Sequence, residues 1–143
     1  MRIFEPLSSI LLAAALPYVV AAQGPNISGT WISESDAASK LVISQRPEAI
    51  HVEEINAGKT ESDFTCALGG SACEVKENRR SEKIMMYFNG GKLVEIRERG
   101  GVAFKEWLTV SADGGTLTVE SVPLSSSQRK TKILFRRQSG LTS

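Results

Sequence analysis

The fold class is decided by residues 83–120, which read KIMMYFNGGKLVEIRERGGVAFKEWLTVSADGGTLTVE. Runs of β-branched and aromatic residues alternate there with the turns Asn-Gly-Gly, Gly-Gly and Asp-Gly-Gly. Asn-Gly and Asp-Gly are favoured in tight hairpins because both central residues can adopt positive φ. In the first run Ile84, Met86 and Phe88 occupy alternate positions and share one face. The stretch therefore predicts consecutive β-hairpins.

Turn residues also separate short β-prone runs through the rest of the chain after residue 28. Turn residues recur at steps of about 8 to 12 residues, which is typical of an all-β sandwich or barrel. We predict strands at 29–33, 40–46, 49–55, 60–66, 72–77, 82–89, 92–99, 102–110, 116–122 and 129–137. Strands joined by such short turns run antiparallel. A meander of such strands avoids unpaired edge strands best by closing into a barrel. The predicted fold is an antiparallel up-and-down barrel of eight to ten strands.

The first 22 residues have the organisation of a cleavable signal peptide. Ile10–Ala22 reads ILLAAALPYVVAA, which carries no charge and ends in small residues. This run is shorter than the roughly 20 apolar residues of a membrane span, and Pro17 interrupts it. We expect cleavage after residue 22, a secreted or periplasmic product and no stable membrane insertion. The alternative is an uncleaved anchor, because Glu5 weakens the basic start of the segment.

The expected mature chain, residues 23–143, is predicted to form a single domain. Removal of Arg2 and Glu5 leaves 16 of the 17 basic and 15 of the 16 acidic side chains, so the net charge stays at +1. Nucleic-acid and anionic-membrane partners require a strongly basic face. Near-neutral charge therefore excludes those two classes of partner.

The two cysteines, Cys66 and Cys73, flank Gly69-Gly70. In an oxidising compartment such an even pair is expected to form a disulfide across a hairpin. The alternative is a metal-binding or redox thiol pair, which would need closer spacing and further Cys or His ligands. The sequence lacks those ligands, so we predict no metal and no cofactor.

The start of the first strand resembles the lipocalin signature, a Gly-x-Trp that follows the signal peptide. Here it reads Gly29-Thr30-Trp31. The resemblance implies that Trp31 closes one end of a barrel, with a basic side chain of the last strand over its indole. Arg136 or Arg137 is placed for that cation–π contact, and we take Gly29, Trp31 and Arg136 as the closure set. The second lipocalin motif, a Thr-Asp-Tyr type loop, is missing from this chain.

A nearer likeness is to small secreted lipocalin-like (calycin-type) proteins of soil bacteria. They share the opening Gly-Thr-Trp, the cysteine-bounded glycine turn and a late strand pair, which here is Ser111–Val119 with the sequence SADGGTLTV. The likeness spans most of the mature chain. It implies the fold and brings no activity with it.

The sequence contains few of the residue arrangements that catalysis requires. His51 is the one histidine, and alternation places it opposite Ile50 and Val52, on the face expected to be exposed. A Ser-His-acid triad would need an activated serine, and the sequence has no Gly-x-Ser-x-Gly elbow. Both thiols are assigned to the disulfide. We therefore predict that the protein is not an enzyme.

The strand Val102–Val110 bears most directly on ligand binding, and it has two alternative orientations. If Phe104 faces inward, Glu106 lies among apolar neighbours, where a carboxylate is costly unless it is paired or reached by water. If Ala103 and Trp107 face inward, Glu106 is solvated. A shift of one residue exchanges the two faces, so both remain open at this point.

The leading functional hypothesis is a binding protein for a small apolar or amphipathic ligand. The candidate cavity residues are Met86, Phe88, Phe104 and Glu106. The alternative is an exported module that docks onto or inhibits another protein. Its anchors would be the hairpin Cys66–Cys73 and the turn Asn78–Arg80.

Overall fold

A computed structural model describes residues 24–77, 80–125, 127 and 129–139 of the chain. The predicted signal peptide, residues 1–22, lies outside the described residues. Among those described, no helix has the length and apolar character needed to cross a membrane.

The described chain folds into one sheet of ten antiparallel strands, in which most neighbours in the sheet are also neighbours in the sequence. The strands are β1 Gly29–Ser33, β2 Ser39–Gln45, β3 Ala49–Asn56, β4 Lys59–Ala67, β5 Cys73–Glu77, β6 Arg80–Asn89, β7 Lys92–Arg99, β8 Val102–Val110, β9 Thr116–Pro123 and β10 Thr131–Arg137. Observed and predicted strand ends differ by at most two residues. The all-β, antiparallel up-and-down architecture is confirmed.

The barrel is nearly closed, whereas the sequence predicted full closure. Pairing of β1 with β10 joins the two ends of the chain, and the sheet order then runs out to β4 on one side and β5 on the other. Within the described residues no backbone ladder joins β4 to β5. The connection between these strands instead runs along β6, where the Gly70 N–H donates to the Met86 carbonyl at 3.1 Å. A disulfide between Cys66 and Cys73 holds this connection at its base.

The interior has two halves of different character. We call the end where β1 begins and β10 finishes the lower end, and the opposite end the upper end. Apolar side chains fill the lower half and the middle: Ile27, Trp31, Ile43, Ile50, Val52, Phe64, Cys66, Ile84, Met86, Leu93, Leu108, Leu117 and Phe135. Residues 24–28 lie across the lower end, and the Ile27 N–H donates to Gln45 Oε1 at 2.9 Å.

Trp31 lies inside the lower end with no exposed surface. Its indole Nε1 donates to the Ile27 carbonyl at 3.0 Å, and the Arg137 guanidinium lies over the ring at 4.2 Å from the centroid. Gly29 has φ 150°, and a Cβ there would lie 2.5 Å from Arg137 Nη1. Glycine is therefore required both by the backbone conformation and by the close approach of the guanidinium.

The structure places Arg137 over the indole, and not Arg136. Arg137 is directly opposite Trp31 in the β1–β10 register, so the two side chains share a face. Arg136 points to the outer face, where its Nε donates to Glu34 Oε1 at 2.7 Å. The assignment of Arg136 to the closure set is therefore corrected to Arg137.

Candidate functional site

The register of β7 with β8 settles which face of β8 is interior. Leu93 pairs with Leu108, and Glu95 pairs with Glu106. Both leucines belong to the buried core, so the even-numbered residues of β8 face inward. Trp107 lies on the outer face between two lysine ammonium groups, at 5.2 and 5.8 Å from its ring centroid. Those cations cover the aromatic ring and make an outward tryptophan favourable.

The four predicted cavity residues divide between the two halves of the barrel. Met86 is fully buried in the core. Phe88 packs at the lower end, where a Cβ on Gly24 would collide with its ring. Phe104 and Glu106 face the upper half, where both are partly exposed. The structure thus brings together Phe104 and Glu106, while Phe88 packs at the lower end and Met86 lies in the core opposite Glu95.

The upper end presents apolar side chains to solvent. Val102 and Ile133 occupy inward positions of β8 and β10, yet they are 42% and 43% exposed. Leu124, 54% exposed, lies opposite Ala103, to whose carbonyl its N–H donates at 2.8 Å, and therefore belongs to the outer face. We call Val102 and Ile133 the upper mouth. Inward apolar residues with this exposure show that solvent reaches the upper half of the interior.

Below the upper mouth lies a set of charged side chains that we call the interior network: Glu54, Glu82, Glu95, Arg97 and Glu106. Arg97 is its centre, with a side chain only 13% exposed and a guanidinium 5.5 Å from the Phe64 ring centroid. Its Nε donates to Glu95 at 2.7 Å, and its Nη2 and Nη1 donate to Glu54 at 2.7 and 3.3 Å. Glu54 is on β3, which is not a neighbour of β7 in the sheet, so these bonds cross the interior.

Burial changes the ionisation of the network. Desolvation raises the pKa of Glu95 to about 7, against the stabilising charge of Arg97 and with a further increase from Glu106. Desolvation also raises the pKa of Glu106, although Arg97 and a hydrogen bond with Ser121 oppose the change. Burial would lower the pKa of Arg97, but Glu95 and Glu54 outweigh it and hold that pKa above its usual range.

In the part of the chain that the structure describes, two buried oxygen atoms of the upper half have no hydrogen-bond partner. Glu82 Oε1 lies 3.3 Å from Arg97 Nε, but the single N–H of that nitrogen is directed to Glu95. Ser62 Oγ is the second atom; its residue is 1% exposed and pairs with Glu54 across β3 and β4. Buried polar atoms normally have partners, so two orphans in one region mark a place where a ligand or water can bind.

Reasoning from the sequence found Glu106 but missed the other members of the interior network. The sequence-based prediction gives Glu54, Glu82, Glu95 and Arg97 no face. The available signal was alternation: Glu95 and Arg97 share a face with Leu93, and Glu82 shares one with Ile84. A consistent face for each strand would have placed these charges inside.

His51 lies on the outer face, as alternation predicts, where its Nε2 is 2.5 Å from Asp63. It lines a shallow depression of about 300 Å³ together with Ser44, Ala49 and Thr65 of the three strands β2, β3 and β4, and with Arg46, which directly follows β2. Over the described part of the chain, no three His, Cys, Asp or Glu side chains are grouped so that they could hold a metal ion.

The disulfide hairpin does not stand free of the barrel. The Leu68 N–H donates to the Glu48 carbonyl at 2.9 Å, and Gly69 forms a bridge with Tyr87. Residues 78–79 of the neighbouring turn lie outside the described residues. The hairpin therefore packs against the wall of the barrel, and its residues Ala67, Gly69, Ser71 and Ala72 are exposed.

Comparisons with known proteins identify the fold. No family model and no curated protein matches the chain. A solved structure described as the REP1-NXSQ fatty acid transporter matches with a TM-score of 0.64 and 12% identity, over 79% of this chain and 96% of that one. A mutant of the fluorescent protein UnaG matches with a TM-score of 0.57 and 19% identity, over 78% and 96%. The chain has the fold of a calycin-type β-barrel.

Proposed function

We propose that the protein is an exported, lipocalin-like binding protein for a small apolar or amphipathic molecule, held in the upper half of the barrel. The observation that carries the proposal is the upper mouth, where Val102 and Ile133 face inward and are still 42% and 43% exposed. Covering such surface with an apolar ligand is favourable by about 25 cal/mol per Å². The lower half is filled by its own core, so the ligand space is the upper half alone.

The likeness to a fatty acid transporter supports a ligand-binding role by analogy of fold. Ligand sites are mostly apolar with a few placed polar groups, and the inward residues at the upper end of β8 combine Val102 and Phe104 with Glu106 in that way. Export is supported by the organisation of residues 1–22 and by the disulfide, which is typical of proteins in oxidising compartments.

The experiment compares two neighbouring residues of β10 that differ in direction. Ile133 points inward, whereas Leu134 points outward with a similar exposure of 36%. We expect Ile133→Asn to weaken the binding of 1-decanol about tenfold or more, because burial of an isoleucine side chain contributes about 1.5–3 kcal/mol. Leu134→Asn should leave the affinity unchanged. Displacement of a neutral environment-sensitive dye provides the measurement.

Equal losses for both variants, or no binding of 1-decanol by the unmodified protein, would contradict the proposal. Native mass spectrometry of protein purified from its own host gives a second readout. A retained small molecule that is absent from the Ile133→Asn protein would identify the natural ligand directly.

A further inference from the structure

Among the side chains that the structure describes, the upper interior holds more carboxylates than guanidinium groups. Its described side chains include four carboxylates, those of Glu54, Glu82, Glu95 and Glu106, around the single buried guanidinium of Arg97. Arg99 adds a second guanidinium at the rim, 47% exposed, which donates to Glu82 Oε2 at 3.1 Å. Buried carboxylates in this excess are costly unless further positive charge or protons compensate them.

The hydrogen bonds of the interior network are also unequally divided between donors and acceptors. All three nitrogens of Arg97 already donate to carboxylates of the network. The atoms that lack partners are an acceptor, Glu82 Oε1, and a hydroxyl, Ser62 Oγ. An ionised carboxylate only accepts hydrogen bonds, whereas a serine hydroxyl both donates and accepts, so a bound donor could satisfy both atoms.

We infer that the upper interior selects amphipathic ligands with a cationic amine head group, which inserts first and lies among the carboxylates of the interior network. An ammonium group supplies three N–H donors and no acceptor, which complements both the charge and the unpartnered oxygens. The inference rests on the proposed function and adds to it the chemistry of the head group and its direction.

The order of side chains along the barrel supports head-first insertion. On β8 the order from the upper end inward is Val102, Phe104 and Glu106, and Glu106 with its partner Glu95 forms the charged layer below Phe104. A ligand with its amine at the charged layer would leave its apolar chain against Phe104 and the upper mouth. The reverse orientation would expose the chain to the carboxylates.

A carboxylate head group fits the same place poorly. It would add a further negative charge beside Glu54, Glu82, Glu95 and Glu106, and it would have to displace one of them from Arg97. Like charges in a partly desolvated interior repel strongly, so an anionic amphiphile should bind more weakly than a neutral one of equal chain length.

Protonation of the network in the free protein gives the inference a second observable. Glu95 is surrounded by Glu54 from β3, Glu82 from β6, Arg97 from β7 and Glu106 from β8. Burial raises the pKa of Glu95 to about 7, so much of it is protonated at pH 6. An incoming ammonium would displace that proton. Amine affinity should therefore rise about tenfold from pH 6 to pH 8, as expected for loss of one proton from a group of that pKa.

The test uses three ligands with the same ten-carbon chain, decylammonium, 1-decanol and decanoate, titrated calorimetrically into the full exported protein. At pH 7.5 we expect decylammonium to bind at least tenfold more tightly than decanoate, with 1-decanol between them. Repeating the decylammonium titration in buffers of different ionisation enthalpy should show proton release at pH 6.

Two variants locate the effect. Glu106→Gln and Ser62→Ala should each weaken decylammonium severalfold while 1-decanol affinity is unchanged, which a general loss of structure would not produce. Glu98→Gln is the control, because Glu98 is exposed on the outer face of β7. It should alter none of the three affinities.

The outcomes separate the inference from the proposed function. If 1-decanol binds and decylammonium binds no better than decanoate, the inference is overturned and the proposed function stands. If none of the three ligands binds, both are overturned. Equal losses of all three affinities in Glu106→Gln would also overturn the selective role of the network.

Discussion

At the scale of single residues, the motif Gly29-Thr30-Trp31 is explained by the guanidinium of Arg137. That group lies over the indole, its Nε donates to the Gly114 carbonyl at 2.8 Å, and its Nη1 donates to the Ser28 carbonyl. A side chain at position 29 would occupy the space the guanidinium needs. The spacing of the motif therefore follows from one cation that holds together β1, β10 and the turn before β9.

The two tryptophans of this chain test that explanation. Trp31→Ala should lower the free energy of unfolding by about 3–5 kcal/mol, because it leaves a large cavity in a packed end of the barrel. Trp107→Ala should cost clearly less, since its ring lies on the outer face between lysines. Urea unfolding of both variants provides the measurement. Equal, small losses would mean that Trp31 does not close the barrel.

Glu95 should make the stability of the protein depend on pH. Its pKa is 4.5 when exposed in the unfolded chain and about 7 when buried in the folded one. Between these values the folded state holds more protons than the unfolded state, so stability falls as pH rises from about 4.5 to about 7. Below that window both states are protonated, and above it the full penalty of the buried charge is present.

Glu95→Gln should remove most of this dependence, because the amide cannot ionise. Thermal unfolding between pH 4 and pH 8 would show it as a flatter profile than that of the unmodified protein. Stability that rises over the same window in the unmodified protein would contradict the assigned shift.

At the scale of elements, the strands were predictable because their signals are local. Turn residues such as Asn89-Gly90-Gly91 need positive φ, which few residues tolerate, so they mark strand ends without reference to the rest of the fold. Which side chains of a strand point inward, by contrast, depends on how the strand pairs with its neighbours. Alternation within β8 allows Glu106 two orientations, and the pairing of β8 with β7 fixes one of them.

The interior network shows why the site was harder to predict than the fold. Arg97 is stabilised by Glu54, which is 43 positions away in sequence and on a strand that does not pair with β7. No pattern within either strand indicates that contact. Likewise, Arg136 and Arg137 are equivalent by composition, and only the β1–β10 register distinguishes them.

The disulfide gives a prediction for one element, the connection between β4 and β5. Replacement of both Cys66 and Cys73 by serine should lower the free energy of unfolding by about 2.5 kcal/mol, the chain-entropy value for so short a loop. Non-reducing peptide mapping of the unmodified protein should first show one linked peptide that spans Gly69-Gly70.

Hydrogen exchange would localise the effect of the double replacement. We expect the largest increase in exchange at the Gly70 N–H, whose partner is the Met86 carbonyl, and a smaller increase in the rest of the barrel, because the bond also constrains the unfolded chain. A uniform increase across the barrel would mean that the bond acts only through the unfolded state.

At the scale of the whole molecule, the lower end defines where the folded chain must begin. Gly24 packs against Phe88, and Ile27 is fully buried. We expect N-terminal sequencing of exported protein to find a start at or near Gln23, which keeps this segment intact. Recovery of intact Met1 in the membrane fraction would instead support an uncleaved anchor.

The strand order of the nearly closed sheet also suggests a circular permutation of the chain. Residues 24 and 139 belong to the lower end, next to the paired strands β1 and β10, while the sheet is interrupted between β4 and β5. A circular permutant that joins these ends and starts within the glycine hairpin would follow the sheet strand by strand, from β5 through β10 and β1 to β4. Every ladder would then join consecutive strands. In that chain the β1–β10 ladder becomes local, while the contacts of β4 with β5 and β6 and the Cys66–Cys73 bond become the long-range ones. Its folding rate, compared with that of the natural chain, therefore reports which of the two closures limits folding.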